Sequence, residues 1–263
     1  MSRVRPKKNL GQHFLTDLSI ARRIADTVDA CPALPILEVG PGMGVLTQYL
    51  ARKRRQLKVV EIDRESVDYL YAHFPSLRES VVCGDFLRMD LSDMFAGRQF
   101  VLTGNYPYDI SSQIFFKMID NRHLIPCCTG MIQREVAQRI ASPPGNKAYG
   151  ILSVMIQAWY DVEYLFTVDE DVFNPPPKVK SAVIRMTRNA TENLGCPWDL
   201  FRKVVKTSFG KRRKMLRASL KPLFPQGIPA GIVAHPMMAL RPEQLSVAQF
   251  VELTNMVAAA LSL

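Results

Sequence analysis

Pro35-Ile36-Leu37-Glu38-Val39-Gly40-Pro41-Gly42-Met43-Gly44 is an apolar run that breaks into glycines spaced two apart. A run of this kind, without polar alternation, reads as a strand buried in a parallel sheet. The glycines predict a tight turn into a helical stretch whose apolar face is Val45, Leu46, Tyr49 and Leu50. Strand, glycine turn and helix N-terminus make a nucleotide-type site, because glycine lets the backbone approach a ligand closely. A dinucleotide fingerprint requires a further glycine at position 45, which is Val45 here. The pattern G-x-G-x-G suits a ligand without a pyrophosphate. A purely structural turn accounts for the glycines equally well, so the flanking sequence has to decide.

Downstream, a second strand is predicted from Leu57 to Ile62, ending in Glu61-Ile62-Asp63. An acid at the end of the second strand is placed to accept hydrogen bonds from ribose hydroxyls. After a helical stretch, Ser80 to Cys83 predicts a third strand, ending in Gly84-Asp85-Phe86. Asp85 can accept from an adenine amine, and Phe86 can flank the ring. Any one of these acids alone reads as a solvated loop residue. Three successive strand ends carrying a glycine turn, an acid and Asp-Phe do not, because ligands in open α/β sheets bind at the carboxyl ends of strands.

The fourth strand, Phe100-Val101-Leu102, leads into Gly104-Asn105-Tyr106-Pro107-Tyr108. The amine of adenine is a weak nucleophile because its lone pair is delocalised into the ring. Acceptors for the amine hydrogens would localise that pair. The Asn105 side-chain oxygen and the Pro107 carbonyl are candidates, the latter expected to be free of other partners. Tyr108 is placed to stack on the base. Asn-x-Pro at a strand end is also an ordinary turn, and only its place in the series argues for more.

A helix with Ile110, Ile114, Phe115 and Met118 on one face follows, then a fifth strand through Gly130-Met131-Ile132 and a helix from about Arg134. Lys147-Ala148-Tyr149-Gly150 opens another helix through Trp159. Strands near Val162 to Val168 and Ser181 to Thr187 complete a doubly wound α/β sheet. Between them, Phe173-Asn174-Pro175-Pro176-Pro177-Lys178-Val179 reads as a stiff loop, able to bring Phe173 and Lys178 to a base pocket. Residues 188–197 form a polar linker, and beyond it the pattern is helical. A small second domain is therefore expected at 189–263, after a first at 1–188.

The chain has 263 residues, 48% hydrophobic, with a net charge of +10, enough apolar material for a full core and enough positive charge for a polyanionic partner. Lys211-Arg212-Arg213-Lys214, continuing to Arg217 and Lys221, concentrates that charge after an aromatic-rich helix. Arg3, Arg5, Lys7 and Lys8 make the start a basic arm leading into Asn9-Leu10-Gly11-Gln12-His13-Phe14-Leu15, and Asp17 caps the next helix. The five cysteines are odd in number and include no C-x-x-C pair, which argues against a disulfide framework or a zinc site and for reduced thiols. No metal site is expected at His13 or elsewhere. No signal-peptide core follows Met1, and no apolar run reaches the ~18 residues of a membrane span. A cytoplasmic protein without membrane association is expected.

Taken with the motifs above, the sequence resembles the small-subunit ribosomal RNA adenine dimethyltransferase A family. The resemblance runs through Asn9 to Leu15, Glu38 to Gly42, Glu61 to Asp63, Asn105 to Tyr108, Lys147 to Gly150 and Phe173 to Val179. It implies a Rossmann-like S-adenosylmethionine-dependent methyltransferase fold with a small C-terminal helical domain. The implied activity is dimethylation of two adjacent adenosines near the 3′ end of 16S rRNA, within the 30S subunit or its precursor, by a monomer. His13, Leu15, Gly40, Glu61, Asp85 and Asn105 are the implied S-adenosylmethionine contacts, with Gln12, Gly42, Ile62 and Phe86 beside them. Asn105 and Tyr108 are the implied target-base residues, with Phe173 a second stacking partner; the residues themselves add Pro107 as an acceptor and Lys178, Lys211, Arg212, Arg213, Lys214 and Arg217 as expected RNA contacts. His13 stands where Asn is commoner, Tyr106 where Leu is, and Asp109 where Asn is.

Three other functions fit parts of the pattern. A 23S rRNA dimethyltransferase of the antibiotic-resistance type shares fold and chemistry, but the triple proline and Lys147-Ala148-Tyr149-Gly150 favour the small-subunit family. Retention of Glu61, Asp85 and Asn105 to Tyr108 argues against a non-catalytic nucleic-acid-binding relative. Val45 argues against a nicotinamide dehydrogenase.

Overall fold

Strands that read as apolar on both faces must be covered on both faces, and that requirement shapes the first of two units. The computed structural model describes Lys7 and residues 12–261. Arg3, Arg5, Lys8 and the motif residues Asn9, Leu10 and Gly11 lie outside them. One unit contains the residues up to Ala137 together with Asp161–Arg188; the other contains Gln138–Tyr160 and the residues from Asn189 onward.

In chain order the elements are β1 (Phe14–Leu15), α1 (Leu18–Asp26), β2 (Ile36–Val39), α2 (Thr47–Leu50), β3 (Leu57–Glu61), α3 (Arg64–His73), β4 (Val81–Cys83), β5 (Val101–Asn105), α4 (Ser111–Asp120), β6 (Cys127–Gln133), α5 (Arg134–Ala141), α6 (Ile151–Gln157), β7 (Tyr160–Val168), β8 (Phe173–Asn174), β9 (Ser181–Arg188), α7 (Trp198–Gly210), α8 (Leu216–Ser219), α9 (Ala230–Val233) and α10 (Val247–Ala260). Asp17 caps α1 as expected, its Oδ1 accepting from the backbone N–H of Ser19 at 2.8 Å and of Ile20 at 3.2 Å.

The main sheet has the order β4-β3-β2-β5-β6-β9-β7. From β4 through β6 the pairings are parallel, and β9 joins β6 antiparallel. The chain builds outward from β2 on one side and then returns to add β5 on the other, which opens a crevice at the carboxyl ends of those two strands. Val39, Val59, Val60, Leu102 and Met131 are all buried. The expected doubly wound α/β sheet is therefore present.

β1 and β8 form a separate antiparallel ribbon, Phe14 opposite Asn174 and Leu15 opposite Phe173. The loop expected around Phe173 is thus anchored as a strand at its start.

The segment Gln138–Tyr160 packs with the C-terminal helices, where the sequence reading put a single break at residue 188. Trp159 meets Trp198 edge to face at 5.6 Å, and the Gly145 N–H donates to the Glu243 carbonyl at 2.7 Å. Buried Leu152, Val154, Met155 and Ile156 on α6 need an apolar partner, and α7 supplies it. A small helical domain of 189–263 alone would leave that face of α7 uncovered.

The expectation of five reduced thiols is also corrected. Cys31 and Cys127, 96 residues apart, are joined in a disulfide with their Cα atoms 5.9 Å apart, while Cys83, Cys128 and Cys196 are free. Spacing in sequence carries no trace of this pair, because only packing of the turn after α1 against the start of β6 brings it together. Among the described residues no helix is long and apolar enough to cross a membrane.

Gly104 sits where β2, β5 and β6 are closest. A Cβ there would stand 2.5 Å from the Val39 carbonyl oxygen, a backbone atom that cannot swing aside. Gly130, its register partner on β6, has φ +148° and faces the Gly104 carbonyl and the Tyr106 ring. Gly104→Ala should destabilise the chain by about 1–3 kcal/mol, read as a lowered urea midpoint at unchanged slope.

Candidate active site

The carboxyl ends of β2, β3, β4 and β5, with the N-terminal segment, enclose a cavity of about 230 Å³ in the first unit. Its lining includes Gln12, His13, Leu15, Gly40, Gly42, Glu61, Ile62, Asp85, Phe86 and Asn105, together with Pro107 and Tyr108. Every residue expected from the sequence to hold the cofactor is brought to this one place.

The glycine turn is built for close approach. Gly40, Gly42 and Gly44 have φ of +69°, +53° and +77°, which side chains rarely tolerate. At Gly42 a Cβ would also press on the Phe14 ring, 3.1 Å away. Glu61 fastens the turn: its Oε2 accepts from the Gly42 N–H at 3.0 Å and its Oε1 from the Asp63 N–H at 2.9 Å. A carboxylate offers about four acceptor positions, so Glu61 keeps capacity for hydroxyls of a ligand. Burial pushes its pKa up, against the opposing pull of those backbone donors.

Next to Glu61, Ile62 is 53% exposed at the rim of the cavity, an apolar surface for one face of a flat ring. Asp85 accepts from the Leu87 N–H at 2.9 Å, and Phe86 is buried behind it. The loop carrying both is clamped from α4. Lys117 Nζ donates to the Leu87 carbonyl at 3.0 Å and to the Met89 carbonyl at 2.5 Å, and lies 5.7 Å from the centre of the Phe86 ring. Burial lowers the Lys117 pKa, with Asp85 and Asp90 opposing. Sequence reasoning missed Lys117; its only signal was a lone cation on an apolar helix.

At the end of β5, Asn105 Nδ2 donates to the His13 backbone carbonyl at 3.3 Å. That bond commits the amide nitrogen and leaves Oδ1 as the acceptor available to a ligand. The Pro107 carbonyl was expected to be free, but it accepts from the Ile110 N–H at 3.3 Å in the turn that follows. One of its two lone pairs remains. Tyr108 hydrogen-bonds Ser181 Oγ through its hydroxyl at 2.5 Å, and its ring stacks on His13 at 5.5 Å and 27°. His13 Nδ1 in turn donates to the Pro175 carbonyl at 2.9 Å, so the carbonyl fixes the proton on that nitrogen. Tyr106 points the other way, buried, with its hydroxyl donating to the Thr129 carbonyl at 3.0 Å and its ring edge-on to Phe115.

Phe173 does not join the cavity. It is 4% exposed and packs in the core opposite Leu15, because an aromatic in a buried two-strand ribbon gains more from apolar contact than from solvent. Lys178 is exposed on the loop beyond. In the second unit Lys211, Arg213, Lys214 and Arg217 are exposed and Arg212 is half-buried, donating to the Lys147 carbonyl. Lys7, expected in the basic arm, is instead paired: its Nζ lies 2.6 Å from Asp63 and 3.3 Å from Glu65, and Gln12 Nε2 reaches the same Asp63 at 3.5 Å. Burial pushes Asp63 upward, but the bonds from Lys7, Ser66 and Gln12 prevail and hold its carboxyl below the usual range.

A model of the family described as ribosomal RNA adenine dimethylase matches residues 3–259. This chain belongs to that family. It is 65% identical to the ribosomal RNA small subunit methyltransferase A of Phocaeicola vulgatus, over 99% of this chain and 92% of that one. The protein of the same name from Porphyromonas gingivalis is 59% identical over 97% of this chain and 98% of its own. Among solved structures, a dimethyladenosine transferase from Plasmodium falciparum shares the fold at TM-score 0.74 and 23% identity, covering 95% of this chain and 98% of that one. The 23S rRNA methyltransferase ErmE matches at TM-score 0.66 and 28% identity, over 93% and 99%.

One group in the cavity had no role from sequence. Glu38, in the strand that opens the site, is 1% exposed and accepts from Thr47 Oγ1 at 2.7 Å. Burial pushes its carboxyl up to about 8, with Thr47 opposing and nearby Glu61 adding to the rise. A charged residue inside an otherwise apolar strand was the signal. Its folded pKa lies above the unfolded value of about 4.3, so the folded state holds a proton the unfolded chain has lost. Its stabilisation is present below the unfolded value and is lost as pH rises toward 8. Glu38→Gln should remove this dependence, the wild type losing up to ~1.4 kcal/mol per pH unit relative to the variant across that window. Urea unfolding at successive pH values measures it.

Proposed function

We propose that the first unit uses S-adenosylmethionine to dimethylate each of two adjacent adenosines near the 3′ end of 16S rRNA, and that the second unit docks the enzyme on the 30S subunit or its precursor. The observation that carries this is the shared cavity of Asn105, Pro107 and Tyr108 with the glycine turn, Glu61 and Asp85. The donor set fits such a cofactor. Acceptors at Glu61 and Asp85 suit ribose hydroxyls and an adenine amine, Ile62 and Phe86 flank a ring, and the carboxyls suit a cationic ligand. When bound, S-adenosylmethionine supplies a methyl group activated by a positively charged sulfur.

What the chain's residues do follows from their geometry. The target base must leave its stack, at a cost of a few kcal/mol, and Tyr108 offers it a new stacking surface. Asn105 Oδ1, oriented by the His13 carbonyl, accepts from the amine, as does the remaining lone pair of the Pro107 carbonyl. Accepting from both hydrogens concentrates the nitrogen lone pair toward the methyl group. These fixed acceptors act in a dry site and need no reorganisation at the moment of reaction. No strong base is required, since the amine proton becomes acidic as nitrogen gains its methyl.

The small-subunit assignment rests on the names of relatives at 59–65% identity, which ErmE at 28% does not approach. We further infer a monomer acting in the cytoplasm, where ribosomal subunits are assembled. Incubating undermethylated 30S subunits with labelled S-adenosylmethionine, followed by nuclease digestion and mass analysis, identifies nucleoside and position together. No label in the 30S subunits, with label entering 23S rRNA supplied in a parallel incubation, would overturn the small-subunit assignment. In the same assay Asn105→Ala should lower single-turnover transfer by about 10²–10³ while cofactor affinity changes little. Transfer within a few-fold of wild type would remove Asn105 from the chemistry.

The cations of the second unit give an independent prediction. Reversing Lys211, Arg212, Arg213 and Lys214 to acids should weaken particle binding. For every phosphate no longer neutralised, the slope of log affinity against log salt should flatten by ~0.7–0.9. Calorimetry should show cofactor affinity unchanged. A salt titration with an unchanged slope would return the run to a solvated face.

A further inference from the structure

Glu38 lies in the cavity wall without a cation. α2 gives it the Thr47 hydroxyl and β3 the Glu61 carboxyl, and among the described residues no positive side chain is paired with it. On β5 its register neighbour is Thr103, buried, with a hydroxyl that has no hydrogen-bond partner among the described residues. The other ionisable residues of the lining are His13, Asp85, Tyr106, Tyr108 and Asp109, the Tyr106 hydroxyl being turned to the Thr129 carbonyl. Buried carboxyls are ordinarily paired or neutral, and this one is unpaired in a cavity whose proposed ligand is cationic.

We propose that Glu38 makes the cavity respond to the charge on its ligand: it releases its proton to solvent when a sulfonium ligand binds, and takes one back when the ligand is the neutral thioether left after transfer. The inference rests on the cofactor reading above. Binding converts the carboxyl to carboxylate plus a solvent proton, and the return step consumes one. This exchange is separate from the proton lost by the amine as its N–C bond forms and the S–C bond breaks. The Thr47 hydroxyl suits either state, because a hydroxyl can donate to a carboxylate or accept from a carboxylic acid. The raised carboxyl pKa near 8 places the free protein in its neutral form at neutral pH. Spent cofactor thereby loses an attraction that the loaded form enjoys, which favours the exchange a second methylation of the same adenine requires.

The test is calorimetry of the full chain with S-adenosylmethionine and S-adenosylhomocysteine in buffers of differing ionisation enthalpy. Both ligands carry the same α-amino group, so a difference between them reports the sulfur. Near neutral pH the sulfonium ligand should release about half to one proton more than the thioether. Its affinity should rise relative to the thioether by up to about tenfold per pH unit, levelling off above about pH 8. Glu38→Gln should abolish both differences. Equal proton release by the two ligands in the wild type, a comparison that needs no variant, would overturn the proposal, as would a difference that persists in Glu38→Gln. If neither ligand binds, the cofactor reading fails and this inference with it; if both bind without a proton difference, only the inference fails.

Discussion

Between Gly104 and the Val39 carbonyl there is no room for a side chain, and the site depends on that close approach. It sits where sheet growth reverses, so the turn after β2 and the motif after β5 emerge side by side. Past the strands the two segments remain neighbours: a Cβ at Gly40 would stand in ordinary contact with the Pro107 ring, 3.6 Å away. The glycine turn and the Asn105 to Tyr108 segment are therefore held side by side by the pairing of β2 with β5 and by the Pro107 ring. Positioning of two reactants to within a fraction of an ångström is what this chemistry asks of its protein.

The charges around the cavity follow a second logic. Asp63, two residues beyond Glu61, is neutralised by Lys7 and bonded by Ser66 and Gln12. Glu61 is held by two backbone N–H groups, and Glu38 by a single hydroxyl. From Asp63 to Glu61 to Glu38, each acid has less compensation from the protein than the last. An interior left short of positive charge is costly to an empty protein and favours any ligand that brings some.

Much of this was legible in the sequence because it is local. Strand, glycine turn and acid recur at successive β–α junctions, and a β–α junction is specified by neighbouring residues. The buried strands from β2 to β6, the cap at Asp17 and the gathering of Gly40, Glu61, Asp85 and Asn105 follow from that. What was not legible depends on partners far along the chain. Phe173 read as a loop aromatic free to stack on a base, yet Leu15, some 158 positions earlier, pairs with it and buries it. Cys31 and Cys127 meet through packing, and Lys117 clamps the Asp85 loop from the far end of a helix. Residues 138–160 looked continuous with the sheet domain, but the apolar face of α6 belongs with α7. The Pro107 carbonyl looked free because proline lacks a donor, whereas its actual partner is a donor three residues on.

Asn105 takes its orientation from the carbonyl of residue 13 and not from that residue's side chain. Every amino acid has that carbonyl. The acceptor proposed to face a target base is thus insulated from substitution at position 13, and the chain can carry histidine there without disturbing it. The side chain there is left at liberty to take up other partners, here Pro175 and Tyr108. A side chain can change while the backbone atom its residue lends to the site stays constant, so variability at that point would say little about how strictly the site is maintained.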